Sequence, residues 1–343
     1  MSQRPRFTMV FTSDRYELEW ERAHLANLTD LEIDMRTGAV DSEDAMIAAA
    51  RDADALLITS RDPISRRVLE ALPHCRVVSR YAVGLDHIDF AAATECGVVV
   101  THYPGYCTDE VADHALAMIL AANRRVVELD RDLRRGAWNT HGHQTNLILR
   151  GPVPAMRLLT IGIVGFGRIG RAVASRLLPF GARILVSDPY LSEADLRAAG
   201  GEPVSLATLR SRADIVTLHC PLTDETRHLV DADFLSGMKP GALLVNTARG
   251  PIIDLAALEE AVTSGVLAGA ALDVTEIEPL PASSPLYRAE NVILSPHAAY
   301  YSERSIEVVR EQTLEQALRV LRGLRPKTVA NPAVLARLSL RDA

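Results

Sequence analysis

Residues 160–188 read TIGIVGFGRIGRAVASRLLPFGARILVSD, and no other stretch limits the fold of the chain as tightly. An apolar run leads into Gly165, Gly167 and Gly170 at the spacing G-x-G-x-x-G, then an amphipathic stretch, then a second apolar run closed by Asp188. Three glycines so spaced are a weak signal alone. In this order they predict a strand, a tight turn, a helix and a second strand, the fingerprint of a dinucleotide site. Gly165 permits the turn, Gly167 lets the backbone approach a pyrophosphate, and Gly170 lets the helix pack closely. The helix start, with Arg168 and Ile169, offers free N–H groups to the phosphates. Asp188 is placed to accept from ribose hydroxyls and to repel a 2′-phosphate. SDPYL holds no Arg or Lys for such a group, so NAD(H) is expected rather than NADP(H).

The fingerprint begins almost halfway along 343 residues, a length that suggests two domains. Runs rich in Val, Ile and Leu at residues 7–12, 31–36, 55–59, 76–80 and 98–102 predict five strands before it. Six more follow at 159–164, 183–187, 215–219, 243–246, 269–274 and 292–295. Helical patterns lie between them, as at 42–51, 65–72 and 171–178, so both series predict parallel sheets covered on two faces, an α/β chain. Residues 109–125 keep a helical period with an apolar stripe of Val111, Ala115, Met118, Ile119 and Ala122, and a second long helix is expected at 302–322.

Hydrophobic residues make up 48% and charged residues 24%, enough for two cores and far from a disordered composition. A net charge of −7 with scattered arginines argues against a nucleic-acid surface. Cys75, Cys96, Cys107 and Cys220 form no C-x-x-C pair, which fits reduced thiols of the cytoplasm. The apolar run near the start is too short for a signal peptide, and none approaches the ~18 residues of a membrane span. His141 and His143, in THGHQ, have no third ligand nearby, so no metal is expected.

Three further segments place charge at the ends of apolar strands. LLVNTARGPIID sets Arg249 where ligands bind in doubly wound sheets, suited to hold a carboxylate bidentately, although an exposed charge at a strand end is an equal reading there. ALDVTEIEP carries Asp273 and Glu278, and LSPHAAY carries His297. A lone histidine is more often structural. Arg, Glu and His at the ends of consecutive strands of one such sheet instead converge on a nicotinamide crevice, as hydride transfer to a carbonyl requires. His219, in VTLHCPLT, either lines the same site or packs.

The blocks VGLDHID (83–89), VGFGRIG (164–170), HCPLTDET (219–226), VNTARG (245–250), ALDVTEIEP (271–279) and SPHAA (295–299) together resemble the D-isomer-specific 2-hydroxyacid dehydrogenases over nearly the full chain. SRYAVGLDHID, SDPYL and PHAAYYSERS are most similar to the C-terminal-binding-protein-like branch. The resemblance implies two doubly wound parallel-sheet domains: a Rossmann NAD domain at 105–299 inserted into a discontinuous flavodoxin-like substrate domain of 1–104 and 300–343. It also implies a homodimer built on the 109–125 helix.

Residue by residue, the resemblance implies that Arg249 binds a 2-oxo acid, His297 is its proton donor and Glu278 orients His297. An adjacent carboxylate favours an imidazolium, so reduction should prefer lower pH than oxidation. It implies that the backbone of Val83 and Gly84 and the side chain of Arg80 bind the substrate carboxylate, and that Asp273 binds the nicotinamide amide. His219, Cys220, Pro221, Thr226, Thr247 and Ala248 match cofactor contacts. Tyr300 stands where the similar branch has tryptophan against the substrate side chain, which leaves the preferred acid open. Glu278 replaces the glutamine of formate dehydrogenases, which disfavours formate. The alternatives are an NAD(H)-sensing corepressor-like protein and a glyoxylate, hydroxypyruvate or phosphoglycerate-type enzyme. An end so soon after the fold is expected to disfavour a corepressor tail or a regulated phosphoglycerate enzyme.

Overall fold

Strands buried on both faces run nearly continuously apolar, and the central strands follow that pattern apart from a few buried polar residues such as Ser79, Arg80, Thr217 and Asn246. The computed structural model describes residues 4–12, 17–38, 40–59, 62–142 and 152–342; His143 lies outside them. Contacts divide the chain into two units, Met1–Tyr106 with Ser302–Ala343, and Cys107–Tyr301.

In the first unit β1 (Arg6–Phe11), β2 (Glu32–Thr37), β3 (Ala55–Ile58), β4 (Val77–Arg80) and β5 (Val99–His102) form a parallel sheet ordered β2-β1-β3-β4-β5. This is the flavodoxin-like order. Every residue of β3 and β4 is buried, whereas none of the edge strand β2 is. The helix Glu303–Leu321 starts from a Ser302–Ser305 capping box and packs on β3, β4 and β5. Its contact with the sheet is partly polar: Ser79 Oγ donates to Thr313 O (2.7 Å), and Thr313 Oγ1 donates to Arg80 O (3.2 Å). The same helix carries Arg310, whose Nε donates to the fully buried Glu21 (2.8 Å).

In the second unit β6 (Thr160–Val164), β7 (Arg183–Ser187), β8 (Glu202–Pro203), β9 (Ile215–Leu218), β10 (Leu243–Asn246), β11 (Gly269–Leu272) and β12 (Val292–Leu294) form a parallel sheet ordered β12-β11-β10-β9-β6-β7-β8. That is the Rossmann order with one strand more. The strand added to that order is β12 at one edge; β8, at the other edge, is the one the sequence does not announce. It is two residues long and ends in Pro203, tolerable only because the strand is an edge. Alternate residues feed two cores. Val164, Leu244 and Leu272 join one, and Ile163, Val245 and Ala271 the other. The long helix runs Thr108–Arg124 and stops at Arg125, whose φ of +54° is left-handed. The glycine-rich turn opens the helix Arg168–Leu177, three residues earlier than periodicity suggests.

Candidate active site

The glycine turn is fixed by contacts that only glycine tolerates. Gly165 has φ +85°, and a Cβ there would lie 2.5 Å from Cys220 N. A Cβ on Gly170 would lie 2.3 Å from Gly165 O, so the helix can cross the strand end only without a side chain. Gly167 differs: a Cβ there would meet nothing within 4 Å. Its bare backbone faces open space, which fits a position reserved for a ligand rather than for packing. Gly167 is the N-cap, and Arg168, Ile169 and Gly170 form the first helical turn.

Asp188 directly follows β7 and closes this turn. Its Oδ2 accepts from Phe166 N (2.7 Å) and its Oδ1 from Tyr190 N (2.9 Å). Each carboxylate oxygen can accept twice, so capacity for ribose hydroxyls remains. On neighbouring strands, His219 Nδ1 and Thr247 Oγ1 are buried with no hydrogen-bond partner among the described residues. His219 Nε2 lies 2.9 Å from Thr217 Oγ1, and burial pushes the ring down to about 3, so the imidazole is neutral. Two buried polar atoms left open among the described residues at the ends of adjacent strands, the first of them next to the glycine turn at Gly165, fit a polar cofactor. Cys220 remains a thiol, burial pushing it up to about 11. Thr226 acts locally, its Oγ1 donating to Pro221 O (2.7 Å) and accepting from Thr223 N (2.7 Å) to close the 221–226 turn.

The Arg249 loop follows β10. Asn246, fully buried at the strand end, accepts from Ala248 N (3.0 Å) and donates to Arg249 O (2.9 Å). Arg249 Nη1 donates to Ala248 O (2.7 Å). Gly250 then passes so close to the next loop that a Cβ would stand 1.9 Å from Thr275 O. This contact ties the Arg249 loop to the loop bearing Glu278. His297 Nδ1 lies 2.8 Å from Glu278 Oε2, both side chains being partly exposed. Half-burial alone would raise the Glu278 carboxyl. The His297 hydrogen bond and charge, the Thr275 N–H and the Arg249 charge together outweigh it and hold the carboxyl below its usual range.

Asp273, 2% exposed at the end of β11, frames the histidine. Its backbone O accepts from His297 N (2.7 Å), its Oδ1 from Ser295 Oγ (2.5 Å) and Ala298 N (2.8 Å), and its Oδ2 from Ala299 N (2.9 Å). Oδ2 keeps one further acceptor position. His297 has φ +55°, a conformation a non-glycine residue holds only when its surroundings insist on it. The Tyr300 ring stands edge-on to His297 at 6.4 Å.

Arg249, Glu278, His297, Tyr300 and all the expected cofactor residues lie in the second unit. Arg80, Val83 and Gly84 belong to the first. There Arg80, 3% exposed at the end of β4, has Nη1 2.9 Å from the His87 ring nitrogens. His102 Nδ1 donates to Val83 O (2.9 Å) and so fixes the turn that bears Val83 and Gly84. Sequence reasoning missed Asn246, Gly250 and Ser295. Asn246 had a readable signal, an amide ending the apolar run LLVN; Gly250 and Ser295 act on residues remote in sequence and had none.

The fold and site define a dinucleotide-dependent oxidoreductase. Residues 116–299 match the family described as D-isomer specific 2-hydroxyacid dehydrogenase, NAD binding domain, and the chain belongs to that family. It is 43% identical over 297 residues to a glyoxylate reductase of Korarchaeum cryptofilum, covering 87% of this chain and 88% of the relative. It is 41% identical over 254 residues to a D-3-phosphoglycerate dehydrogenase of Mycobacterium tuberculosis, covering 74% of this chain and 46% of that protein. A D-lactate dehydrogenase of Aquifex aeolicus, solved with NAD and lactic acid, superposes with a TM-score of 0.79 at 28% identity, over 96% and 98% of the two chains. The protein is an NAD(H)-dependent oxidoreductase acting on the CH–OH group of 2-hydroxy acids. No helix among the described residues is long and apolar enough to cross a membrane.

Proposed function

We propose that the chain works as a reductase of small 2-oxo acids, with glyoxylate the first substrate to test. The observation that carries this reading is the His297–Glu278 pair at 2.8 Å beside the Arg249 loop, on the same sheet as the glycine turn. Arg249 binds the carboxylate and carbonyl of the acid through its planar guanidinium. When bound, NADH supplies the hydride that reduces the carbonyl carbon. His297, with Nδ1 engaged by Glu278, gives its Nε2 proton to the developing alkoxide; in the oxidative direction the neutral ring takes it back. Asp188, the glycine turn, His219, Thr247 and Asp273 hold the cofactor. Substrate-carboxylate roles for Arg80, Val83 and Gly84 belong to the same proposal, and loss of substrate affinity in Arg80→Ala tests them.

The finer placement nearest the C-terminal-binding-protein-like branch rests on the sequence blocks SRYAVGLDHID and PHAAYYSERS. A homodimer through the helix Thr108–Arg124 is supported by the same resemblance and is tested by sedimentation. The deciding experiment is NADH oxidation against glyoxylate, hydroxypyruvate, pyruvate, phenylpyruvate and 4-methylthio-2-oxobutyrate. Turnover of one above ~1 per second supports the reductase. Tight NADH binding with no turnover of any would favour a nucleotide-sensing role instead.

A further inference from the structure

The loop that presents His297 is held from one side by a residue on a different element, the helix Thr108–Arg124. That helix packs on β10, β11 and β12, and its apolar stripe of Val111, Ala115 and Met118 is buried. Beside the stripe, His114 reaches the end of β12, where its Nε2 lies 3.0 Å from Ser295 Oγ and 3.6 Å from Asp273 Oδ1. The direction of these bonds follows from proton counting. Ser295 has one O–H, and the carboxylate of Asp273 is an acceptor only, so the hydroxyl is given to Asp273 Oδ1. Ser295 Oγ must then accept from His114, which places a proton on Nε2.

The result is a directed chain from His114 through Ser295 to Asp273. Asp273 is also the residue whose backbone and carboxylate hold His297 N, Ala298 N and Ala299 N, and through them the left-handed backbone at His297. We propose that His114 is a positioning residue for the catalytic histidine: by donating to Ser295 it fixes Asp273, and Asp273 fixes the loop that presents His297. Without the donor, Ser295 Oγ is free to rotate away from Asp273, and the left-handed turn loses one of the constraints that hold it. The inference rests on the catalytic reading of His297, and it ties proton transfer to the helix proposed above as the dimer contact.

The test compares wild type with His114→Leu, which fills the space without a donor, and His114→Gln, whose amide N–H can replace Nε2. In the NADH-loaded enzyme with glyoxylate, His114→Leu is expected to lower kcat about tenfold with KM within about twofold, while NADH affinity, read by fluorescence, falls by less than kcat because Asp273 is one of several groups that hold the cofactor. His114→Gln is expected to recover most of that loss. In the cofactor-free protein, the His297 ring Cε1–H resonance, assigned with His297→Gln, should be single in wild type and His114→Gln, and broadened or doubled in His114→Leu. Unchanged kcat in His114→Leu overturns the proposal. So does a joint fall of kcat, NADH affinity and thermal midpoint that glutamine does not rescue. If wild type turns over no 2-oxo acid, the catalytic reading fails and the resonance alone decides the positioning link: an unperturbed His297 signal in His114→Leu would refute it.

Discussion

The two units share one architecture and use their buried polar groups in opposite ways. In the first, polar side chains beneath the sheet join pieces of chain remote in sequence. Ser79 and Thr313 bind across β4 and the helix Glu303–Leu321, and Asn331 accepts from Val100 N while donating to Val98 O. Gln316 Nε2, buried without a hydrogen-bond partner among the described residues, departs from that rule. In the second, Asn246 and Asp273 support loops at the strand ends, and His219 Nδ1 and Thr247 Oγ1 stay open there. Buried polar groups are normally satisfied, so open ones clustered at strand ends mark where a ligand completes the structure. Apart from Arg80, for which a substrate role is proposed, the buried polar groups of the first unit mainly close the fold, while several of those at the strand ends of the second are placed to receive a ligand.

That contrast fails if the largest effects fall in the wrong unit. Replacing His297 by Ala should lower reductase kcat about 10³-fold, within the range for a lost proton donor, with NADH affinity kept. Stopped-flow turnover and fluorescence titration measure the two, and a loss under fivefold would remove His297 from the mechanism. In the first unit the strongest response should be to stability. Glu21 is fully buried against Arg310, so Glu21→Ala leaves a largely buried guanidinium without its carboxylate, at a cost of about 3–5 kcal/mol. Urea unfolding reports the loss; NADH affinity of the fraction still folded should match wild type.

A smaller effect sharpens the reading of the receptive unit. Asp188→Ala removes both the acceptor for ribose hydroxyls and the charge that repels a 2′-phosphate. NADH should bind about tenfold more weakly, and discrimination against NADPH should shrink. Equal NADH affinity in the variant would mean that Asp188 serves only its bonds to Phe166 N and Tyr190 N.

What was legible in the sequence depended on whether a residue's constraint is local. β3 read directly because burial on both faces favours an unbroken apolar run, β4 and β10 because theirs is broken only toward the strand end by Ser79, Arg80 and Asn246, and Gly165 and Gly170 because strand, turn and helix are contiguous. β8 was silent because two edge residues ending in proline carry no period. Gly250 and Ser295 were silent for another reason: their partners, Thr275 and Asp273, meet them only after the sheet has formed. Thr226 shows the converse. Resemblance marks it as a cofactor contact, and the structure adds a local role that the sequence did not announce, its hydroxyl closing the turn between Pro221 and Thr226.

The finest test separates charge from geometry in the His297 pair. Glu278 is held below its usual range, so its contribution is complete above that range and is lost only as pH falls through the depressed value. Between about pH 6 and 9 it stays ionised, so a limb of the rate profile in that interval does not come from Glu278 itself. Reduction consumes a proton and should fall as pH rises; oxidation should rise over the same interval. Glu278→Gln keeps an acceptor for His297 Nδ1 and removes the charge that favours the imidazolium. Both limbs should therefore move toward acid, with reduction at neutral pH slowed only a few-fold. Limbs that stay in place while the rate falls would show that Glu278 acts on His297 through orientation alone.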